Sequence, residues 1–225
     1  MNVSVAAIVP MRHTSERVPG KNYRPLAGIP LFHHIVRALL DCPSVSKVVI
    51  DTDSEVILDD AARSFPTVVG LERPAHLRDG SIPMNDVLLN DIDRVEADLY
   101  LQTHSTNPLL RSQTIEQAIG TFLARRDEHD SLFGVTRLQT RLWRGDGSAI
   151  NHDPAVLLRT QDLPPVYEEN SCIYIFDAGM LRATGRRIGE RPLLFEISRA
   201  EALDIDEEID WQIVECLLAG NGTPA

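Results

Sequence analysis

Two stretches of the chain hold residues whose types and spacing could do chemistry. The segment PMRHTSERVPGKNYRPLAG sets Arg12, Arg17, Lys21 and Arg24 beside Thr14, Ser15 and Gly20. Arginine and lysine give charge-assisted bonds to phosphate oxygens, and a glycine admits the backbone turns that aim successive N–H groups at an anion. Near the other end, LDIDEEID separates Asp204 and Asp206 by one residue. In extended backbone both project to one side, where their hard oxygens can share a magnesium ion that keeps its waters and takes substrate phosphates as further ligands. Alone, the acidic run would serve as the solvated N-terminus of a closing helix, favoured by the helix dipole. Coupled with the basic loop, it points to metal-assisted chemistry on a triphosphate.

Spacing excludes two other phosphate-binding devices. A P-loop reads G-x-x-x-x-G-K-[ST], but Ser15 stands where the first glycine belongs, and Asn22 follows Lys21 where a hydroxyl should meet magnesium. The dinucleotide fingerprint G-x-G-x-x-G is absent as well. Kinase and dehydrogenase chemistry lose their main support.

The rest of the composition bounds the setting. The 225 residues are 43% hydrophobic and 24% charged, the balance of a packed globular domain and enough for one large core. A formal net charge of -11 argues against bulk electrostatic binding to nucleic acid or to an anionic membrane. An anionic ligand must therefore be met by a local basic pocket. Cys42, Cys172 and Cys216 are few and scattered, as expected of reduced cytoplasmic thiols. The N-terminal MNVSVAAIVP lacks the basic start of a signal peptide and the length of a membrane span, and it reads as a buried first strand.

The elements that must position these residues alternate. Val3 to Val9 is a β-branched apolar run, the mark of a strand covered on both faces. Pro30 to Cys42 has helical spacing, Val45 to Ile50 reads as a strand, and a helix follows with Asp53 or Ser54 as its N-cap. The pattern predicts a short strand at Thr67 to Val69, a helix within Ser81 to Val95, a strand at Asp98 to Gln102, a helix at Thr114 to Leu123 and a strand at Ser131 to Thr136. Repeated β-then-α units argue a three-layer α/β fold, Rossmann-like, with right-handed crossovers. From Arg137 to Glu169 the alternation lapses into a β-rich insertion that includes the turn signal Asp146-Gly147. Ser171 to Phe176, Leu193 to Ile197 and a helix at Ile209 to Leu218 complete a single domain over 1–225. Ligands of such sheets bind beyond the carboxyl ends of the strands, which is where the basic loop would lie.

VAAIVPMRHTSERVPGKNYRPLAGIPLFHHIV, VVIDTDSEVI, LYLQTHSTNPLLR, ENSCIYIF and LDIDEEIDW, in this order, resemble the motifs of the acylneuraminate cytidylyltransferases and related CMP-sugar synthetases. The resemblance runs over nearly the whole chain, and its first and last motifs are the most specific. It implies a nucleotide-diphospho-sugar transferase fold with a mixed, mostly parallel sheet, and a homodimer formed partly through residues 137–169. It also implies magnesium, CTP and a 2-keto-3-deoxy sugar acid as substrates, and a CMP-sugar and pyrophosphate as products.

Matched position by position, the resemblance implies that Arg12, Ser15, Lys21 and Asn22 form the CTP-binding loop, with Lys21 neutralising the reacting α-phosphate. It makes Asp204 and Asp206 the metal ligands, and Gln102 and Asn170 lining residues of the sugar pocket. RPAHLRDGS resembles the cytosine-side loop, where Asp79 or Ser81 would contact base or ribose. The expected chemistry is in-line attack of the anomeric hydroxyl on the α-phosphorus, with Arg12 and Lys21 compensating charge and Asp206 helping to take the hydroxyl proton. Two segments depart from the family: LQTHSTNPLLR is longer than the usual LQPTSPLR, and Glu168 and Glu169 precede Asn170 where many members have a basic residue and proline. They keep open an acceptor of another kind, a sugar phosphate or a different acidic metabolite, while Lys21 and the aspartate pair argue against a silent nucleotide-binding scaffold. His33, His34 and, in a pocket loop, His104 are expected to be surface or satisfied core groups rather than metal ligands, Trp143 and Trp211 packing anchors rather than stacking platforms, and Cys172 a small buried hydrophobe rather than a nucleophile.

Overall fold

The computed structural model describes residues 3–220. In chain order it contains β1 (Val5–Met11), a two-residue ribbon of β2 (Pro25–Leu26) and β3 (Ile29–Pro30), α1 (Leu31–Leu40), β4 (Lys47–Thr52), α2 (Glu55–Ser64), β5 (Val69–Glu72) and α3 (Met84–Ile92). There follow β6 (Leu99–Gln102), α4 (Ser112–Ala124), β7 (Ser131–Leu138), β8 (Val166–Phe176), α5 (Ala178–Thr184), β9 (Pro192–Glu196) and α6 (Glu208–Gly220). The main sheet runs β5-β4-β1-β6-β8-β7-β9, and β8 alone runs against its neighbours.

All seven side chains of β1 are buried, because alternate residues serve two cores. Ala7, Val9 and Met11 pack into the layer that contains Phe32, Ile35 and Ile115, while Ala6 and Ile8 enter the layer that contains Leu88, Tyr100 and Leu181. The expected three-layer α/β sandwich is therefore present. Its central strand ends at the loop that carries Arg12. A third apolar cluster of Val18, Leu26, Leu31, Ile205 and Trp211 fastens that loop to the segment that leads into α6.

Several boundaries differ from expectation for local reasons. The third strand is Val69–Glu72 rather than Thr67 to Val69; it is an edge strand with mixed exposure, and its register is set by pairing with Val49–Thr52. The N-cap of α2 is Ser54, whose hydroxyl accepts from Ile57 N, leaving Asp53 to accept from His13 N at 2.7 Å. α5 was not anticipated, although Asp177 caps it by accepting from Met180 N and Gly185 closes it at φ 66°. In the insertion, β structure is confined to the outer ends of β7 and β8, which pair from Val135↔Glu169 to Leu138↔Val166, and to one bridge, Trp143↔Ala149, around the expected Asp146-Gly147 turn. The rest of 139–165 is irregular apart from one short helical turn at Thr160–Asp162. Trp211 packs as expected, but Trp143 is 51% exposed and anchors no core. His33 is satisfied by Asp60, Nε2 to Oδ2 at 2.6 Å.

Among the described residues, no helix is long and apolar enough to cross a membrane.

Candidate active site

Beyond the carboxyl end of β1 lies a cleft of about 900 Å³ whose walls include Arg12, Ser15, Lys21, Asn22, Asp79, Ser81, Asp204 and Asp206. Eight residues singled out from the sequence thus come together at the place an open parallel sheet offers its ligands. Gln102 and Asn170 do not line it.

The basic loop is shaped from within. Gly20 takes φ 66° and sits so close to the Tyr23 ring that an added Cβ would lie 2.9 Å from Tyr23 Cε2. Glycine is needed there for both conformation and space. Tyr23 N and Arg24 N donate to Gly20 O at 3.1 and 2.9 Å, closing the turn, and buried Val18 anchors it. Asn22 spends its amide on the scaffold: Nδ2 donates to Arg12 O at 2.8 Å and Oδ1 accepts from Ser105 Oγ at 2.6 Å. It therefore sets the path of the backbone that carries Arg12.

Across the cleft, Arg12 extends to the loop of Asp79 and Ser81, where any side chain at Gly80 would collide with its guanidinium. Asp79 Oδ1 accepts from Ser81 N at 2.8 Å and Ser81 Oγ at 2.6 Å. These bonds, with Arg12 adding attraction, hold the Asp79 carboxyl below its usual range. The wall thus presents a fixed, ionised acceptor.

At the aspartate pair, Ile205 is buried in the third cluster, so its neighbours Asp204 and Asp206 both turn to the cleft, as their alternation predicted. Ile205 N donates to Thr106 O at 2.9 Å and Asn107 Nδ2 to Leu203 O at 3.3 Å, which fix the segment to the loop after β6. Asp206 Oδ1 lies 2.8 Å from Arg17 Nη2 and 3.4 Å from Lys21 Nζ. Asp210 Oδ2 accepts from the backbone N of both Asp206 and Glu207, starting α6. Burial raises the Asp204 pKa above the ordinary carboxylate value, against a lowering hydrogen bond from Thr106, and its Oδ1 is buried with no partner. A buried carboxylate oxygen without a donor is suited to a cation. Only two acids converge here, and among the described residues no group of three or more His, Cys, Asp or Glu side chains is placed to hold an ion.

His104 and Ser171 also line the cleft. Burial first, then Arg187 and Lys21, push the His104 pKa down to about 4, with Asp206 opposing, and Nε2 has no hydrogen-bond partner. The imidazole is neutral at physiological pH. Behind it stands a polar cluster that sequence reasoning missed. Arg187 lies 3.6 Å above the Tyr174 ring, donates from Nη1 to Gln102 Oε1 at 2.5 Å and approaches Glu169 at 3.9 Å. The Tyr174 hydroxyl donates to Glu169. The acidic character of Glu169 is thereby answered within the chain. Asn170 is turned inward at the bulge between β7 and β8: Nδ2 donates to Thr136 Oγ1 at 3.1 Å, and Oδ1 accepts from Cys172 N at 3.2 Å. Gly134 leaves room for it, since a Cβ there would fall 2.6 Å from Asn170 Oδ1. Ser171, at φ 60°, carries the chain around the bulge and takes the cleft-facing position instead. Arg73 belongs to the segment that resembles a cytosine-side loop but was not singled out; it also lines the cleft. Cys172 is buried and its thiol pKa is raised, mainly by burial, so it is no nucleophile.

A profile of the cytidylyltransferase family matches residues 6–212. N-acylneuraminate cytidylyltransferase A of Danio rerio is 28% identical over 218 residues, which cover 94% of this chain and 50% of that protein. The chain thus spans about half the length of that relative. CMP-N,N'-diacetyllegionaminic acid synthase of Legionella pneumophila is 30% identical over 227 residues, covering 96% of this chain and 97% of that protein. The solved structure of a CMP:2-keto-3-deoxy-manno-octonic acid synthetase complexed with CTP has the same fold, with a TM-score of 0.74 at 16% identity over 97% of this chain and 99% of that one.

Proposed function

This chain belongs to the cytidylyltransferase family, and from that premise we propose that it activates a sialic-acid-like nonulosonate or related 2-keto-3-deoxy sugar acid with CTP, giving a CMP-sugar and pyrophosphate. The observation that carries the proposal is the joining of the basic loop to the aspartate pair: Lys21 Nζ donates to Ile205 O at 2.7 Å, between Asp204 and Asp206. One cleft thus holds cations for a triphosphate and carboxylates for its metal.

In the proposed step the acceptor's hydroxyl oxygen bonds to the α-phosphorus. The bond from that phosphorus to the oxygen bridging to the β-phosphate breaks, and pyrophosphate leaves. Arg12 and Lys21 compensate the charge on the phosphate oxygens as it moves toward the leaving group. The hydroxyl proton passes to Asp206, directly or through a water it holds. Asp204 and Asp206 would hold magnesium, which when bound supplies charge neutralisation at the phosphates. Asp79 and Ser81 face the nucleoside, Ser15 the phosphates, and Asn22 fixes the loop. His104 and Ser171 form the acceptor wall, with Gln102 and Asn170 behind it.

We further propose a homodimer through residues 137–169, where Leu157 is 88% exposed, and a cytoplasmic setting that matches three free thiols and a CTP supply. No nucleic-acid or membrane partner is proposed. The test is pyrophosphate release with each nucleoside triphosphate and magnesium against neuraminic, deaminated neuraminic, legionaminic, pseudaminic and deoxy-octulosonic acids, with sugar phosphates as a separate arm. Release with CTP and one sugar acid establishes the reaction and names the acceptor. Release only with a sugar phosphate overturns the acceptor class.

A further inference from the structure

Behind the wall formed by Asp79 and Ser81, where the mechanism needs no acid, three charged side chains lie within electrostatic reach of one another, Arg73 paired with Asp51 and both acting on Asp91. Asp51 is the penultimate residue of β4, Arg73 follows β5 and Asp91 lies on α3; Asp51 and Asp91 are fully buried and Arg73 is 3% exposed. Arg73 donates from Nε to Asp51 Oδ2 at 2.6 Å, its Nη2 is also 2.6 Å from that oxygen, and the same Nη2 lies 3.4 Å from Asp51 O. Its Nη1 makes no hydrogen bond among the described residues, and Arg73 forms part of the cleft wall. Arg73 is therefore held along one edge with the other end of its guanidinium left over.

The acids outnumber the base. Asp51 Oδ1 and Asp91 Oδ2 are both buried without a hydrogen-bond partner, although Asp91 Oδ1 accepts from Asn90 Nδ2 at 3.2 Å. Arg73 is ion-paired with Asp51 alone, so an ionised Asp91 beside that pair would be an uncompensated buried charge, which folded proteins avoid by keeping one acid protonated. We propose that Asp91 is a positioning residue for the nucleotide, acting through Asp51 and Arg73. While Asp91 is neutral, Asp51 alone holds the guanidinium and its free end serves an acceptor group on the bound nucleotide. Once Asp91 is ionised, a second carboxylate competes for Arg73 and draws it back from the cleft. The inference rests on the CTP reading of the site.

The surroundings set where that change falls. Burial, then Asp51, push the Asp91 pKa up to about 7, with Asn90, Arg73 and Arg94 opposing. Arg94 is engaged elsewhere, donating from Nη1 to Glu72 O at 2.9 Å, and on the neighbouring α5 Arg182 pairs with Asp93 at 2.7 Å. On the Asp51 side, Asp53 adds a further negative charge. No other cation is therefore committed to Asp91.

The test is calorimetric binding of magnesium CTP and of magnesium tripolyphosphate, without acceptor, from pH 6 to 8.5, to the wild-type chain and to Asp91→Asn. Tripolyphosphate shares the terminal phosphate titration of CTP but has no nucleoside to reach Arg73. In the wild type, the CTP affinity divided by the tripolyphosphate affinity is expected to fall by up to about tenfold across this range, the effect of one pKa unit of coupling. In Asp91→Asn that ratio is expected to stay flat, and in turnover the change appears in KM for CTP rather than in kcat. Equal profiles in the two proteins, or a ratio that does not fall in the wild type, would overturn the inference. The wild-type ratio decides alone if the variant does not fold. Wild-type protein that binds no CTP overturns the proposed function and this inference with it; CTP binding with a flat ratio overturns this inference only.

Discussion

The ammonium of Lys21 lies 3.4 Å from Asp206 Oδ1 although 184 residues separate Lys21 from the neighbouring Ile205, whose carbonyl it also meets at 2.7 Å. One cation thus ties the basic loop to the aspartate pair, where the proposed triphosphate and its metal would lie. Lys21→Ala removes both the tie and a preorganised charge. Pyrophosphate release is expected to fall by about 10² to 10³ in kcat, the usual cost of removing one preorganised donor. Turnover close to wild type in steady-state assays would remove Lys21 from the mechanism.

Asp204 gives the metal prediction its sign. Its pKa lies above the ordinary carboxylate value because of burial, and only the ionised form can hold a cation. Activity is therefore expected to be lost as pH falls through that raised pKa, and higher magnesium should move the acid limb to lower pH by competing with the proton. Chelation should abolish pyrophosphate release, and Asp204→Asn should reduce it about a hundredfold, a loss of about 2.7 kcal/mol of charge stabilisation. Full activity of the chelated enzyme in the same assay would show that the pair holds no essential ion.

The two stretches just considered were legible in the sequence because each is local. Four cations within a short loop, and two aspartates flanking an apolar residue that must be buried, show their common direction in one dimension. Arg73, Asp51 and Asp91 come from three elements and share no spacing, so only the packing of β4, β5 and α3 brings them together. Arg187 was hidden for a related reason: it follows α5, a seven-residue helix too short for its periodicity to register, and its partners Tyr174 and Gln102 lie on two other strands. Asn170 looks like a pocket residue in a plain strand. The bulge at Ser171, with φ 60° at a residue other than glycine, turns it into the β7–β8 ribbon instead.

Asp91 also makes a stability prediction that is independent of any ligand. Its native pKa of about 7 exceeds the roughly 3.9 of an unfolded aspartate, so folding favours the protonated form. The associated stability is present in full below about pH 4 and is lost as pH rises to about 7. Replacing the acid with its neutral isostere should recover on the order of 2–4 kcal/mol above pH 7. In thermal unfolding, Asp91→Asn is expected to melt several degrees above wild type at pH 8, with the gap narrowing toward pH 5. A variant less stable than wild type at pH 8 would contradict the buried ionisation.

Arg187 should act on the acceptor rather than on CTP, because it holds Gln102 and Glu169 behind the wall of His104 and Ser171 that is proposed to meet the acceptor. Lysine can keep the charge but cannot stack on Tyr174 and bond to Gln102 with one planar group. Arg187→Lys is expected to raise KM for the acceptor about tenfold or more, at a cost of about 1.4 kcal/mol or more, while KM for CTP stays within about twofold. Initial-rate measurements with each substrate varied separate the two. An equal rise in both constants would mean that Arg187 supports the fold of the whole site.

The insertion gives the last prediction. Trp143, Ile150, Val156 and Leu157 are exposed on residues 139–165, and Tyr167 is exposed where β8 emerges from them. Exposed apolar side chains concentrated in one segment are suited to a protein contact. The outer ends of β7 and β8, paired from Val135↔Glu169 to Leu138↔Val166, lead into and out of this segment, and none of the five exposed residues lines the cleft. Covering these side chains in a two-fold contact would bury each patch against its equivalent. Sedimentation at tens of micromolar is expected to show a dimer for the wild type and a monomer for Leu157→Asp combined with Trp143→Ser, with thermal unfolding of the domain little changed because neither side chain belongs to a core. A wild-type monomer at that concentration would refute the contact, and the exposed residues would then have to fold over the chain's own acceptor pocket, where the double variant would instead raise the acceptor KM.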